Sequence, residues 1–364
     1  MRMSSLGVIL LGIGLAGAAC SASAQSAGVE DERAPASAVV DWYGDLRVRG
    51  ERTTHIPGRA DDLERVRAAV RFGARFISDS GWEFAAAAKL GAGSDSNDDN
   101  RRNLDNEKSN GAGLDELYAA YSAGESTLFR LGKGRMPLVL TPLTWDRDLR
   151  PIGASIEYSA TVRDFDAFHL TAGYFASDHL YGDESRIGAL QIGYGWLEGG
   201  ETGFSTFLSY LDFTDIDVLA REGLGRTNRR IGNRFTSDYR LLDLQFIGRV
   251  QAFESPLVAR LDLVRNLGAD DQRDGARFSL IWGDADQLGG WELGYAYQRA
   301  GRDAVLAAFS EDDWWFHSFA RGSMPWVAYG FSERLTLQAS AFIERRDGVS
   351  DYTDRWLLDL RSRW

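Results

Sequence analysis

The chain has 364 residues, 44% hydrophobic and 26% charged, with a formal net charge of -12. After the N-terminus no run approaches the about 20 apolar residues that a spanning helix needs, which excludes a helical membrane protein, and the acidity argues against nucleic acid as a partner. With 40 glycines, abundant aromatics and only 7 prolines, one large all-β domain fits better than two smaller ones.

Residues 1–24 read as a secretory signal peptide. Arg2 supplies a positive start, Leu6 to Ala19 is apolar, and Ala22-Ser23-Ala24 before Gln25 matches an A-x-A cleavage site. Gly17-Ala18-Ala19-Cys20 loosely resembles a lipoprotein box, although Gly17 is unusual at its first position. Cys20 is the only cysteine. Its removal with the signal would leave a mature chain without disulfides or thiolate metal sites. Residues 25–40 read as a flexible lead-in, and 41–364 as the folded domain.

Asp41 to Thr53 sets Trp42, Leu46 and Val48 opposite Asp45, Arg47, Arg49 and Glu51. Glu64 to Ser78 is more decisive. There Val66, Ala68, Val70, Phe72, Ala74 and Phe76 share one register, and Arg65, Arg67, Arg71 and Arg75 share the other, a period of two. Wound as a helix at about 100° per residue, the segment would form no single apolar stripe. Nor can four arginines enter a dry core, because an unpaired buried charge is too costly. A strand of about ten or more residues, apolar on one face and charged on the other, is what a transmembrane β-barrel uses, with lipid outside and water inside.

Turn-like connections near 78–81, 123–126, 161–166, 198–201, 253–256, 284–290 and 330–333 alternate with longer polar segments at 55–63, 93–113, 136–150, 177–185, 214–236, 268–274, 300–313 and 347–352. Seven turns and eight loops predict a closed antiparallel barrel of about sixteen strands, within a range of about fourteen to eighteen. Leu242, Leu244, Phe246 and Val250 alternate with Asp243, Gln245 and Arg249. Trp291, Leu293, Tyr295 and Tyr297 form an aromatic face suited to a membrane interface, and Leu335 to Ile343 alternates with Thr336 to Glu344. Leu114 to Tyr121 and Trp314 to Tyr329 alternate poorly, and Pro325 removes a ladder hydrogen bond from the second. At the C-terminus Trp356, Leu358, Leu360 and Trp364 share a face opposite Asp359, Arg361 and Arg363. An amphipathic last strand ending in an aromatic resembles the assembly signal of outer-membrane barrels, with Trp364 where Phe is usual.

Asp115-Glu116-Leu117-Tyr118-Ala119-Ala120-Tyr121, Leu131-Gly132-Lys133-Gly134-Arg135-Met136-Pro137 and Trp145-Asp146-Arg147-Asp148-Leu149-Arg150-Pro151-Ile152-Gly153 resemble the central block of an uncharacterised porin family of Gram-negative bacteria. The likeness runs from about residue 41 to the C-terminus. More distantly the chain is similar to the alginate-export barrels, without the Gly-rich continuation expected after the Gly-Arg pair. Either resemblance implies a monomeric or homotrimeric outer-membrane channel without enzymatic activity, and neither names the solute.

Arg47, Arg49, Arg65, Arg67, Arg71 and Arg75 are the candidate pore-lining residues. If their strands pair, the guanidinium groups stack into a basic wall that grips carboxylate or phosphate, unless Asp45, Glu51 and other lumen carboxylates neutralise it. The segment from Met136 to Arg150 is more apolar than a solvated loop, through Leu138, Val139, Leu140, Leu143 and Trp145. It is the candidate constriction, with Trp145 packed on the wall and Asp146, Arg147, Asp148 and Arg150 at the narrowing; the alternative is an outer loop packed on other loops. Ser94 to Asn106 lacks the glycine and closing glutamate of a calcium loop, so a solvated acidic loop is expected. The four histidines, His55, His169, His179 and His317, show no paired metal spacing or nucleophile elbow.

These observations predict an outer-membrane diffusion channel for small hydrophilic, anionic solutes, with no cofactor, no metal and no catalysis. Its expected partners are outer-membrane lipid, lipopolysaccharide and the barrel-assembly machinery. The alternatives are an exporter of an acidic polysaccharide and a non-conducting adhesion barrel that displays 214–236 and 300–313.

Overall fold

Residues 38–106, 108–163, 165–176, 185–198 and 200–364 are described by the computed structural model. The expected signal peptide, residues 25–37 of the lead-in, and His179 lie outside them. The strands are β1 (Ala38–Thr54), β2 (Leu63–Ser78), β3 (Trp82–Gly93), β4 (Gly111–Ala123), β5 (Thr127–Lys133), β6 (Ile152–Arg163), β7 (Asp166–Ala176), β8 (Arg186–Trp196) and β9 (Gly203–Thr214). A two-residue hairpin, β10 (Arg230–Ile231) and β11 (Arg234–Phe235), interrupts the series. It resumes with β12 (Tyr239–Ala252), β13 (Ser255–Asn266), β14 (Asp274–Gly283), β15 (Trp291–Ala300), β16 (Ala320–Ser332), β17 (Leu335–Arg346) and β18 (Thr353–Arg363). Short helices α1 (Asn97–Arg102) and α2 (Asp217–Arg221) lie in long loops.

All strands except β10 and β11 join one closed antiparallel barrel, in which β1 pairs with both β2 and β18. The strand count is the expected sixteen. Alternation explains the wall: Trp42, Val66, Phe72, Trp291 and Trp356 are exposed on the outside, while Arg49, Glu51, Arg65, Asp243 and Asp359 are shielded inside. Each exposed apolar face is soluble only in lipid, and each polar face only in a lumen.

Three segments depart from the simple pattern. β1 begins at Ala38, within the expected lead-in, because Val39 and Val40 pair with Ile77 and Phe76. β4 alternates poorly because Asp115 is an extra residue: Ala87 pairs with Glu116 and the next residue, Ala88, with Leu114. This β-bulge buries Asp115 and Glu116 side by side, while Leu114 and Leu117 face outward at 52% and 54% exposure. β16 starts at Ala320 rather than Trp314. Trp315 and Phe316 pack with Ile56, and Trp314 packs with Phe342 and Leu357, so the aromatic run is interior packing. Pro325 stays within β16, and the register to β17 is unchanged on either side of it.

The short connections gather at one end of the barrel with Ala38 and Trp364, and the long ones at the other. The third long loop (134–151) and the seventh (301–319) turn inward. Leu143 and Trp145 from the third meet Val305, Leu306 and Phe309 from the seventh, and α2 and the inner walls of β8, β9 and β12 complete this apolar cluster. Trp145 stacks on Phe309 at 5.4 Å. The segment at 300–313, considered for display, is therefore mostly interior.

Candidate conduction path

The arginines of β1 and β2 meet carboxylates almost at every step. Arg49 binds Asp359 on β18 at 2.7 Å and also Asp313 of the seventh loop. Arg65 binds Glu51 at 2.7 Å, Asp95 at 3.2 Å, and Asp105. Arg67 reaches Glu51 at 3.1 Å, and Arg355 reaches the same carboxylate at 2.8 Å. Arg71 binds Asp115 at 2.5 Å and Asp45 at 2.8 Å, and Arg75 binds Asp41 at 2.9 Å. Arg49, Arg65, Arg67 and Arg71 are buried, and of the ladder Arg47 and Arg71 border open space inside the barrel. The neutralised arrangement thus describes most of the ladder.

Asp105 overturns the solvated reading of 94–106. Asn100, Asp105 and Asn106 are fully buried, because this loop bends inward to answer Arg65 and Arg355.

The three motif blocks converge on the β4 bulge. Arg150 lies 3.5 Å from Asp115 and 3.4 Å from Glu116, Arg135 lies 3.5 Å from Glu116, and Tyr43 donates its hydroxyl to Glu116 at 2.7 Å. Only the bulge lets two successive carboxylates point inward. It also ties the root of the third loop to the wall.

From that root the loop crosses the lumen. Gln191 of β8 donates to the Val139 carbonyl at 2.8 Å and accepts from its N–H at 2.9 Å, and Gln245 of β12 donates to the same carbonyl at 2.9 Å. Thr141 donates to Asp262 on β13. The crossing places Trp145 and Asp146 in the interior packing and Arg147 toward open space. Asp148 lies 3.6 Å from Arg47 and 3.8 Å from Arg71.

The remaining lumen holds a cavity of about 530 Å³, with Arg47, Arg147, Arg260 and Arg277 on its wall beside Asp148, Glu311 and Asp313. A second, of about 270 Å³, runs along β1 to β3 past Arg47, Arg71 and Lys89. A third, of about 150 Å³, opens toward the long loops past Lys89, Lys108 and Lys133. Asp148 borders all three, so the spaces meet around the tip of the third loop. Among the described residues, Arg147, Arg260 and Arg277 form no ion pair with a carboxylate; Arg277 donates to Gln298 at 2.8 Å and lies over the Trp314 ring. Arg147 is exposed to the lumen, Arg260 is half-buried and Arg277 is buried in the wall. Arg260 and Arg277 were not among the sequence candidates, though each falls in the inward register of its strand, two residues from Asp262 and Ser279 respectively.

Asp146, Glu311 and Asp312 bring one oxygen each within 4.8 Å of one another. Burial and the neighbouring carboxylates push Asp146 and Glu311 well above the ordinary carboxylate range. Asp313 is depressed despite its burial, chiefly by Arg49. Asn106 donates its side-chain N–H to Asp146 at 2.8 Å and its backbone N–H to Asp312, so amide donors meet two of the three carboxyl groups. At the turn end, His169 joins Ser159 at 2.7 Å through Nδ1 and Glu198 at 2.6 Å through Nε2. A serine hydrolase has the opposite arrangement, with serine on Nε2 and the carboxylate on Nδ1, and the Ser159 N–H is already donated to the Ser126 carbonyl.

No family model matches the chain, and no curated protein matches its sequence. Solved structures do match. OprB of Pseudomonas putida is 14% identical with a TM-score of 0.60, covering 89% of this chain and 94% of its own. OmpF of Salmonella typhi, solved with daunomycin, is 14% identical with a TM-score of 0.55, covering 89% and 97%. A Rhodopseudomonas blastica porin variant is 11% identical with a TM-score of 0.52, covering 90% and 100%. The porin resemblance of the motif blocks is met in the architecture: this chain has the sixteen-stranded fold of the bacterial outer-membrane porins.

Proposed function

We propose that the chain is a porin of a Gram-negative outer membrane, a passive channel for small hydrophilic solutes that prefers anions. The short turns would face the periplasm and the long loops the outside. The carrying observation is the trio Arg147, Arg260 and Arg277, which border the lumen cavity with no carboxylate within ion-pair distance among the described residues. Paired charges largely cancel at a distance, so unpaired ones dominate the field a solute feels. The arginines buried in the wall act as scaffold in this reading. The inward-folded loops leave cavities of small-solute size, which favours diffusion over export of a polysaccharide strand.

Export by residues 1–24, assembly through Trp356, Leu358, Leu360 and Trp364, contact with lipopolysaccharide, and a monomeric or homotrimeric state belong to the same proposal. The test is the reversal potential of purified protein in a planar bilayer under a salt gradient. Native protein is expected to favour anions, and Arg147→Ala/Arg260→Ala/Arg277→Ala to lose that preference. An absent current, or a cation preference that the triple variant leaves unchanged, would overturn the reading.

A further inference from the structure

A barrel shows lipid the outward register of every strand, and where that register reaches the long loops it leaves the hydrocarbon for the headgroups. At this rim an outward arginine can stand directly opposite an acid on the next strand. Arg52 of β1 pairs with Glu64 of β2, which it reaches at 3.5 Å, and it also holds Asp62 at 3.0 Å. Arg265 of β13 pairs with Asp274 of β14, which it holds at 2.6 Å. Such pairs neutralise the rim locally.

Strands β15, β16 and β17 break this pattern. Arg299 pairs with Arg321, and Arg321 with Arg345, so three guanidinium groups stand side by side on adjacent strands. Their register is the outward one: two residues deeper along each strand, Tyr297 pairs with Ser323 and Ser323 with Ile343. Tyr297 and Ile343 are exposed on the outer wall, whereas Gln298 and Glu344 are buried inside. Among the described residues, Arg299, Arg321 and Arg345 have no carboxylate within ion-pair distance and make no side-chain hydrogen bond; Arg345 lies over the Tyr352 ring at 5.3 Å. Arg302 and Arg346 next to the row lie over the Phe319 ring at 3.9 and 5.7 Å and likewise reach no carboxylate.

Like charges directly opposite one another on neighbouring strands repel. Nothing in the described chain offsets that repulsion, so the row is suited to a ligand that brings negative charge. A guanidinium grips phosphate through a bidentate fork. With neighbouring strands about 4.8 Å apart, the row spans roughly 10 Å, wide enough for a headgroup with more than one phosphate. Directly below it the exposed wall of Phe278, Tyr297 and Ile343 is a surface for acyl chains. Phosphate above and acyl chain below describe a lipid.

We propose that Arg299, Arg321 and Arg345 bind the headgroup of a diphosphorylated glycolipid, of the lipid A type, in the leaflet at the long-loop end. The inference rests on the outer-membrane reading and gives its lipopolysaccharide contact a place on the wall.

The test is native mass spectrometry of the full chain in detergent, titrated with diphosphoryl lipid A. Saturable binding is expected. Arg299→Gln/Arg321→Gln/Arg345→Gln should weaken it by about tenfold or more, the scale of one lost charge-assisted hydrogen bond, and Arg321→Gln alone should weaken it in the same direction. Arg52→Gln/Arg240→Gln/Arg265→Gln removes the same charge from positions beside carboxylates and should leave the affinity unchanged. Equal losses in the two triple variants would reduce the binding to a general attraction for basic protein. Equal affinity for lipid A stripped of its phosphates would reduce it to acyl-chain packing, and equal affinity for inorganic pyrophosphate would assign a free anion; each of these results overturns the site. Because the row repels itself, its triple variant should be at least as heat-stable as native protein in lipid-free detergent, and lipid A should raise the unfolding temperature of the native protein alone. A variant that unfolds sooner without lipid would make the row structural. Absent current with intact arginine-dependent lipid binding would remove the channel reading and leave this site standing. Anion-selective current with lipid binding unaltered by the variant would do the reverse.

Discussion

Glu51 is enclosed by Arg65, Arg67 and Arg355, at 2.7, 3.1 and 2.8 Å. Replacing one member of a buried ionic network leaves the others without a counter-charge, which costs about 3–5 kcal/mol. Glu51→Gln is expected to lose that much in urea unfolding from lipid vesicles; a loss below about 1 kcal/mol would class the network with surface pairs. Arg147 is the contrasting case, exposed to the lumen and with no carboxylate within ion-pair distance among the described residues. Arg147→Ala should leave stability within about 0.5 kcal/mol while shifting the reversal potential, and a large stability loss would place it with the scaffold. The same residue type thus divides into two roles. Alternation shows which face an arginine occupies. It does not show whether a carboxylate from a residue hundreds of positions away, such as Asp359 for Arg49, will meet it there.

Where the third and seventh loops clasp, the pH dependence runs in two directions. Asp146 and Glu311 are raised by burial and by Asp312, Asp313 and Asp148, with Asn106 and Arg147 opposing the rise. A carboxylate raised in the folded state stabilises it fully below the ordinary value of about 4, and that contribution is lost as pH climbs through the raised value. Asp313, held down chiefly by Arg49, behaves oppositely and loses its contribution only in strong acid. Between mild acid and neutrality the first pair dominates. Hydrogen exchange at Leu306 to Phe309, corrected for intrinsic rate, should show protection falling as pH rises, and Glu311→Gln should flatten the trend. Protection that rises with pH would contradict the assignment. The inward course of these loops was only partly legible. The apolar content of 136–150 signalled it for the third loop. The Asp-rich stretch at 94–106 and the Trp314 to Phe316 run misled, because a local pattern reports polarity and not the distant partner that draws a segment inside. The Asp115 bulge was hidden for a related reason, since a bulge is a relation between two strands.

Closure of the whole barrel depends on one seam. Its inner face sets Arg49 against Asp359, its outer face sets Arg52 against Trp356 and Val48 against Leu360, and its last step is a main-chain exchange between Gly44 and Trp364 at 3.1 and 3.2 Å. A Cβ on Gly44 would lie 2.4 Å from the Arg71 carbonyl oxygen and 2.6 Å from the Trp364 ring, so only glycine lets the final tryptophan lie against β1. Two roles for Trp364 then make different predictions. If it is solely a recognition tag, deleting it impairs assembly, whereas Gly44→Val, which leaves the tag intact, does not. If it also locks the seam, both changes reduce the folded fraction seen as heat-modifiable mobility on a gel, because each removes or obstructs hydrogen bonds worth about 1 kcal/mol apiece. The geometry favours the lock: both variants should lose folded protein even when refolded from urea into lipid without any assembly machinery, and normal refolding of Gly44→Val would reduce Trp364 to a tag.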